Sequence, residues 1–378
     1  MKAVTISKTG GPEVLELKEI NLGKPGPDEV LIEHVAIGLN YIDIYHRSGL
    51  YPVNLPSGIG AEASGIIKEI GSSVKDFKVG DRISYAGIPL GAYSTHRIYP
   101  TKNLVKVPDN IELDIAATLM TKGLTTFYLL HKTYPVSSGE TILYHAAAGG
   151  VGQIFCQWAK SIGCKVIGTV GSEEKIKIAK KNGCDLVINY SKENFVEKVK
   201  DFTKGVGVPV VYDGVGAKTF EDSIACLKNT GMMVSFGNSS GSVKNVDVKK
   251  HIVPKSLFFT RPTLGHYFPN KELLGEAAEK LFKQVKYGKV KIEIFKKYKL
   301  EEVVQAHKDF EARKNAANEI PEGPERTQAM IDIADEAYEQ VYFLPLFEVA
   351  YVYGLSPDLE WQPYYAPRLR GNTLSFSK

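Results

Sequence analysis

Residues 144–153 read YHAAAGGVGQ, a run of small residues between the apolar stretch TILYH (141–145) and a pattern that puts Ile154, Phe155, Trp158 and Ile162 on one helical face. Strand, small-residue turn and helix, in that order, make up a dinucleotide-binding fingerprint. Ala147, Gly149 and Gly152 stand at the three positions of G-x-G-x-x-G, with alanine in place of the first glycine. The first position allows a tight turn, the second a backbone without Cβ that lets a pyrophosphate approach, and the third a close contact of helix with strand. The helix N-terminus adds unpaired N–H groups and about half a positive charge, both of which favour an anion. Small residues also serve plain close packing, so the surrounding chain decides.

Downstream, strand-like runs alternate with helical ones: KVIGTV, EEKIKIAKKN, DLVINY, ENFVEKVKDFT, VPVVYD, then GMMVSFG and SLFFT. This alternation predicts βαβ units and a parallel sheet covered on both faces, an α/β fold of nucleotide-binding type. Upstream the texture differs. EVLIEHVAIG (29–38), SGIIKEIG (64–71), DRISYAG (81–87) and YSTHRIY (93–99) are short β segments between turn signals, which predicts a small curved β unit. ELDIAATLMTKGLTTFYLLHKT (112–133) reads as a helix joining the two halves. Past Pro262 two helical patterns flank a β-like stretch, KVKIEIF (289–295).

The second strand of the parallel unit decides between dinucleotides. A site for NAD ordinarily carries an acid at the end of that strand for the ribose 2′-hydroxyl. Here KVIGTV runs into Gly171 and Ser172, and Glu173 and Glu174 fall in the first helical turn, where they complement the helix dipole. Lys175 can reach back to a 2′-phosphate, Ser172 can donate to it and Tyr190 can lie beside it. NADP(H) is therefore the favoured cofactor, against the plain reading of Lys175 as a solvated surface lysine.

The totals set outer bounds. The 378 residues are 43% hydrophobic and 24% charged with a net charge of +4, a composition that argues neither for disorder nor for a nucleic-acid partner. No apolar run approaches the roughly 18 residues of a membrane span, and the N-terminus carries no secretion-type apolar core, so a cytoplasmic protein is expected. Cys156, Cys164, Cys184 and Cys226 show no C-x-x-C spacing and read as buried reduced thiols.

With these residues in place, GETILYHAAAGGVGQIFCQWAK (139–160) resembles the signature of the quinone oxidoreductase and zeta-crystallin family within the medium-chain dehydrogenase/reductase superfamily. The resemblance runs over about residues 1–313, through NYIDIYHRSGLYP, PSGIGAEASGII, GDRISYAG, LMTKGLTTFYLL, VVYDGVG, MMVSFGNSSG and FTRPTL. It implies a GroES-like catalytic domain (1–122), a Rossmann NADP(H)-binding domain (123–261), a return to the catalytic domain (262–314) and a homodimer. It also implies no zinc, since the ligand positions of zinc-dependent relatives would fall near Asn40, at Ala61 and near Thr121. Carried over, Asn40 and Tyr45 are the expected catalytic residues, with Tyr41 beside them on the nicotinamide and substrate side. Gly150, Val151 and Gly152 are expected at the pyrophosphate, and Gly171, Ser172, Lys175 and Tyr190 at the adenosine 2′-phosphate. Val215, Phe236, Gly237, Asn238, Phe259 and Arg261 are expected around the nicotinamide. The competing readings are a packing role for Tyr45 and a turn role for Asn40; His46 reads as an incidental exposed residue.

The implied activity is hydride transfer to a quinone by positioning and hydrogen bonding, without an essential general base. Enoyl or alkenal reductases share this metal-free chemistry and stay open as alternatives. Some zeta-crystallin relatives bind RNA or serve as lens proteins; for RNA the lysine-rich stretch 283–299 is a candidate patch, against the reading of a solvated face.

A compositional break falls near residue 314. Residues 1–314 carry a net charge of +10, and residues 315–378 carry −6 with a single lysine. This suggests a segment of different origin. From Pro324 on it resembles the C-terminal end of periplasmic peptide-binding proteins of ABC importers, through ERTQAMIDIADEAYEQ and FLPLFEVAYVYG. A fusion whose tail has no solute-binding function is expected, and loss of the family's final strand predicts an unpaired sheet edge.

Overall fold

The computed structural model describes residues 1–315 and the backbone of 346–348, 359–361 and 374–376. The chain opens with the antiparallel pair β1 (Lys2–Ile6) and β2 (Glu16–Glu19), followed by the long β3 (Glu29–Gly38), helix α1 (Tyr41–Ser48) and the short β4 (Ser57–Gly58), which returns to β1. β5 (Glu62–Ile70), β6 (Arg82–Ala86), β7 (His96–Pro100) and β8 (Leu104–Lys106) complete the curved unit: β3 pairs with β5 and β7, β5 with β6, and β6 with β8, all antiparallel. Val30, Ile32, Ile37, Ile67, Ile83 and Tyr85 form its core.

Helix α2 (Leu113–Tyr128) is buried along most of its length and packs on β5 and on the nucleotide-side helices, so the expected boundary at 122/123 falls inside one rigid element that belongs to both halves. Beyond it come β9 (Thr141–His145), α3 (Gly150–Ile162), β10 (Lys165–Val170), α4 (Glu173–Lys181), β11 (Leu186–Asn189), α5 (Phe195–Phe202), β12 (Val208–Asp213), α6 (Phe220–Cys226), β13 (Leu227–Ser235) and β14 (Phe258–Thr260). The six strands are parallel in the order β11-β10-β9-β12-β13-β14. The order reverses between β9 and β12, and in doubly wound sheets ligands bind in the crevice outside the strand ends at that point.

After α7 (Leu264–Tyr267), helix α8 (Lys271–Lys286) puts Leu274, Ala277, Leu281 and Phe282 into the same core as α2 and α3. This part of the segment expected to rejoin the catalytic domain thus packs with the nucleotide side. KVKIEIF forms no strand. Its backbone runs beside α3, where the Gln157 amide donates to Lys291 O (3.1 Å) and accepts from Lys291 N (2.9 Å), and Val290 is buried against the α2–α8 core. The Gln157 side chain thus satisfies both peptide groups of Lys291, while the N–H groups of Lys289 and Val290 go to Gln284 O. The strand comes later, at β15 (Lys297–Lys299), and α9 (Val303–Asn315) then packs Val303 and Ala306 into the core under β3.

From the extension come β16 (Leu346–Glu348), β17 (Leu359–Trp361) and β18 (Leu374–Phe376). β16 lies between β15 and β3, antiparallel to Ala36–Gly38, so the edge expected to be unpaired is occupied; β17 and β18 pair with each other. The peptide-binding-protein resemblance, with its stretch ERTQAMIDIADEAYEQ (325–340), otherwise lies outside the described residues. The lysines at 283–299 include individually partnered ones, Lys283 with Glu279, Lys296 with Asp309 and Lys297 with Asp114. All four cysteines are buried and free. Among the described residues no helix is long and apolar enough to cross a membrane.

Candidate active site

At the end of β9 the chain turns through Ala146, held at φ +57° although it has a side chain. Ala147 is fully buried, and a Cβ on Gly168 of β10 would come within 2.7 Å of its methyl group. Gly149 is the N-cap of α3 and leaves the first turn without a side-chain cap. A Cβ on Gly152 would lie 2.5 Å from Ala146 O and 2.7 Å from Ala147 O, so only glycine lets α3 sit this close to the turn. The N–H groups of Gly150, Val151 and Gly152 therefore face outward from a helix end, where the backbone dipoles favour an anion.

At the end of β10, Gly171 lies against Tyr190, and Ser172 opens the helix that carries Lys175 in its first turn. A Cβ on Gly171 would stand 2.9 Å from the Tyr190 hydroxyl, and Ser172, the N-cap of α4, is buried with no cap bond from its side chain. Lys175 is half-buried, and its ammonium forms no ion pair or hydrogen bond among the described residues. Burial pushes its pKa below the ordinary lysine value, against the weaker pull of Glu174. Glu173 is tied to Asn189 Nδ2 (3.0 Å) and Lys192 (3.4 Å).

The loops after β12 and β13 form the other end of the crevice. Asp213, fully buried, accepts from the N–H groups of Val215 (2.7 Å) and Gly216 (3.0 Å) and from Thr219 Oγ1 (2.7 Å). A Cβ on Gly237 would meet Gly214 O at 2.4 Å, and Phe236 packs on Tyr144. Asn238 is best oriented with Nδ2 donating to Gly237 O (2.9 Å) and Oδ1 accepting from Arg261 Nη2 (3.3 Å). Arg261 also donates to Tyr51 Oη (3.2 Å), which carries this loop across to the β unit. Phe259 is set apart from this group: it packs edge-on against Phe220 of α6, at the rim of the sheet.

Helix α1 brings the remaining expected residues. Tyr45 stands 5.2 Å from Tyr51, ring to ring, and its phenol is pushed up to about 12 by burial and then by Tyr51, against the Asn238 backbone bond and the Arg261 charge. It therefore stays a hydrogen-bond donor near neutral pH. Tyr41 packs on Phe310 of α9 at 4.7 Å. His46, expected exposed, is buried, lies edge-on to Tyr51 and has its pKa lowered by burial.

Asn40 is 4% exposed, and its amide is engaged inside the fold. Its Oδ1 accepts from Lys122 Nζ (2.6 Å) and its Nδ2 donates to Glu62 Oε2 (2.8 Å). Glu62 also accepts from Thr121 N (2.7 Å) and Lys122 Nζ (3.3 Å). As N-cap of α1, Asn40 shares a capping box with Asp43. Asp43 accepts from Tyr93 Oη (2.9 Å), which in turn meets His307 Nε2 (3.1 Å). Arg47 donates to His307 Nδ1 (2.9 Å) and pairs with Glu311 (2.6 Å). Arginine cannot accept, so the His307 proton sits on Nε2 and points at Tyr93.

Sequence reasoning missed Tyr51, Glu62 and Lys122. Tyr51 had a signal, an aromatic in YHRSGLY one helical stretch beyond Tyr45. Glu62 and Lys122 had none, because single charged residues in ordinary β and α patterns read as surface.

Two family models match the chain: the alcohol dehydrogenase GroES-like domain over residues 26–109 and the zinc-binding dehydrogenase over 150–282. A quinone oxidoreductase of Pseudomonas aeruginosa is 47% identical over 320 residues, 84% of this chain and 98% of that protein. A 2-haloacrylate reductase of a Burkholderia species is 43% identical over 81% of this chain and 94% of its own length. The crystal structure of Escherichia coli quinone oxidoreductase complexed with NADPH matches at 46% identity and a TM-score of 0.81, covering 83% of this chain and 97% of that one. The zinc in the second model's description does not fit these residues. Around the expected ligand positions an ammonium, an amide and a peptide N–H point their protons inward on Glu62, and among the described residues no three His, Cys, Asp or Glu side chains gather as a metal site.

Proposed function

We propose, from the premise that this chain belongs to the quinone oxidoreductase family of the medium-chain dehydrogenases/reductases, that it reduces a quinone with NADPH and needs no metal ion. The observation that carries the cofactor choice is the corner of Gly171, Ser172, Lys175 and Tyr190. A half-buried ammonium with no ion pair among the described residues, three positions on from a serine whose side chain makes no cap bond, suits a dianionic 2′-phosphate. Gly150, Val151 and Gly152 would hold the pyrophosphate, and Val215, Phe236, Gly237, Asn238 and Arg261 the nicotinamide end, with Phe259 apart from it on Phe220. When bound, NADPH supplies the hydride.

The chain's own part is to place the quinone ring, exclude water and offer donors to the carbonyl oxygen as it gains charge. The Tyr45 phenol and the Arg261–Tyr51 pair are the donors at that end. Tyr41 shapes the wall from α9's side, and Asn40 acts from within the fold as a positioning residue. The test is NADPH oxidation by the purified chain with 1,4-benzoquinone. Quinone-dependent turnover that strongly prefers NADPH over NADH is expected; none, or no preference, overturns the reading. The similarity to a 2-haloacrylate reductase favours a second reading, reduction of an activated alkene. Greater kcat/KM for a 2-haloacrylate or an enone than for any quinone would establish it.

We infer a homodimer formed through the exposed rim of the parallel sheet. β14 leaves an edge with Phe258 60% exposed, next to exposed Val253 and Val248. Sedimentation should give a dimer, and Phe258→Asp a monomer. A cytoplasmic location and a tail without a solute-binding function complete the reading. Trimming near residue 314 should leave turnover intact and lower the melting temperature, because β16 no longer covers β3.

A further inference from the structure

We propose that Lys122 is a positioning residue of the hydride-transfer site, one that sets the seat of Tyr45 through the amide of Asn40 and the start of α1. The proposal rests on the reductase reading above.

Lys122 is 3% exposed and lies on α2, the helix shared by the two halves. A buried lysine that served only as a counter-ion would take its shortest bond from the carboxylate. Here the bond to Asn40 Oδ1 is 2.6 Å and that to Glu62 is 3.3 Å. Glu62 in turn holds the other end of the same amide at 2.8 Å and is itself fixed by Thr121 N at 2.7 Å. The Asn40 amide is thus gripped at both ends by charges on two other elements, β5 and α2.

That grip acts on α1 because Asn40 is its N-cap, and its backbone N–H is bonded to Asp43 at 2.8 Å. The corner cannot relax by sliding. A Cβ on Gly38, two residues earlier, would meet Ala117 O at 2.3 Å and Glu62 Oε2 at 2.6 Å, so the end of β3 lies directly on α2 and on the carboxylate. At the far end α1 is tied by Arg47 to Gly10 O (3.1 Å), His307 and Glu311. Tyr45 lies between the two anchors, about 8 Å along the axis from Asn40 at 1.5 Å per residue, and its phenol meets the Asn238 loop of the other half. Loss of the N-terminal anchor moves that phenol relative to a ring held by the parallel-sheet half.

The test uses the full chain with NADPH and 1,4-benzoquinone. Lys122→Met combined with Glu62→Gln removes both buried charges and keeps their volumes. We expect kcat to fall a few-fold, no further than removal of the Tyr45 hydroxyl itself would lower it, while the NADPH Kd from cofactor fluorescence stays within about twofold. A purely structural pair predicts the opposite: with the charges removed together, fold and kcat stay at wild-type level, and that result overturns the proposal. Asn40→Gly provides a second route, since glycine still caps a helix and leaves Lys122 paired with Glu62. It should show the same kcat loss, and the triple variant should fall no further than either. Full activity of Asn40→Gly, or additive losses in the triple variant, refutes the link. Failure of the wild-type chain to turn over any quinone is a failure of the reductase reading and is seen before any variant is made.

Discussion

Lys175, beside the second strand of the parallel sheet, keeps its ammonium without an ion pair among the described residues, whereas Lys122 on α2 is gripped by Asn40 and Glu62 in the interior. On the proposed reading the first lysine is held for a partner from outside; the second has its partners in the fold. The difference separates two kinds of site. A ligand-facing charge is left unsatisfied at a cost in stability, and binding relieves that cost. A positioning charge is satisfied at once, because an uncompensated buried ion is strongly destabilising. The contrast extends to their surroundings: glycines and a bare helix N-terminus near the first, a closed chain of hydrogen bonds near the second.

Breaking the internal end should have the largest effect. Lys122→Met alone leaves Glu62 buried without its counter-charge and should destabilise the protein by about 3–5 kcal/mol, read from urea unfolding. A loss below about 1 kcal/mol would show that solvent reaches the pair.

Next in size is a pH dependence from the same region. Asp43 is fully buried and faces Asn40, Tyr93, Glu62 and Lys122. Burial is the main cause that pushes its pKa up to about 7, from 3.8. The folded state therefore holds the proton where the unfolded chain has released it, and stability falls as pH rises from about 4 to about 7. The slope approaches about 1.4 kcal/mol per pH unit for one proton. Asp43→Asn keeps an acceptor for Asn40 N–H and Tyr93 and should flatten this part of the stability profile; an unchanged profile would place the titration elsewhere.

The external end should lose affinity while the fold is kept. Ser172→Ala with Lys175→Ala removes a charge-assisted contact worth about 2–3 kcal/mol, so KM for NADPH should rise about 30- to 150-fold and that for NADH hardly change. Equal changes for both cofactors would remove the 2′-phosphate from this corner. The smallest effect is expected where the two halves meet. Tyr45→Phe keeps the ring against Tyr51 and removes one of several donors, so turnover should drop only a few-fold. Complete loss with an intact fold would make Tyr45 an obligatory acid rather than one donor among several.

The proposed external end is drawn largely from sequence. The turn at Ala147, Gly149 and Gly152, the absent acid after KVIGTV and the Lys175–Ser172–Tyr190 group all depend on local backbone requirements, which leave marks at fixed spacing. The internal end was not legible. Asn40 was expected to serve the substrate directly, yet its amide is engaged by residues 22 and 82 positions away. His46 was expected exposed and is buried. KVKIEIF was expected to be a strand, and at Lys291 the Gln157 side chain from α3 takes both backbone hydrogen bonds. The edge of β3, expected bare, is covered by β16.

By itself the sequence determined the α/β class, the glycine turn before α3 and the cofactor preference, because side-chain periodicity and the need for residues without Cβ are short-range properties. Only the tertiary structure decided that α2 belongs to both halves, that Lys122 points at Asn40, and that Tyr45 and Tyr51 meet Asn238 and Arg261 across the cleft. Each of these is a pairing between distant parts of the chain. Its energy depends on burial and on the position of the partner, and neither is written at the residue itself.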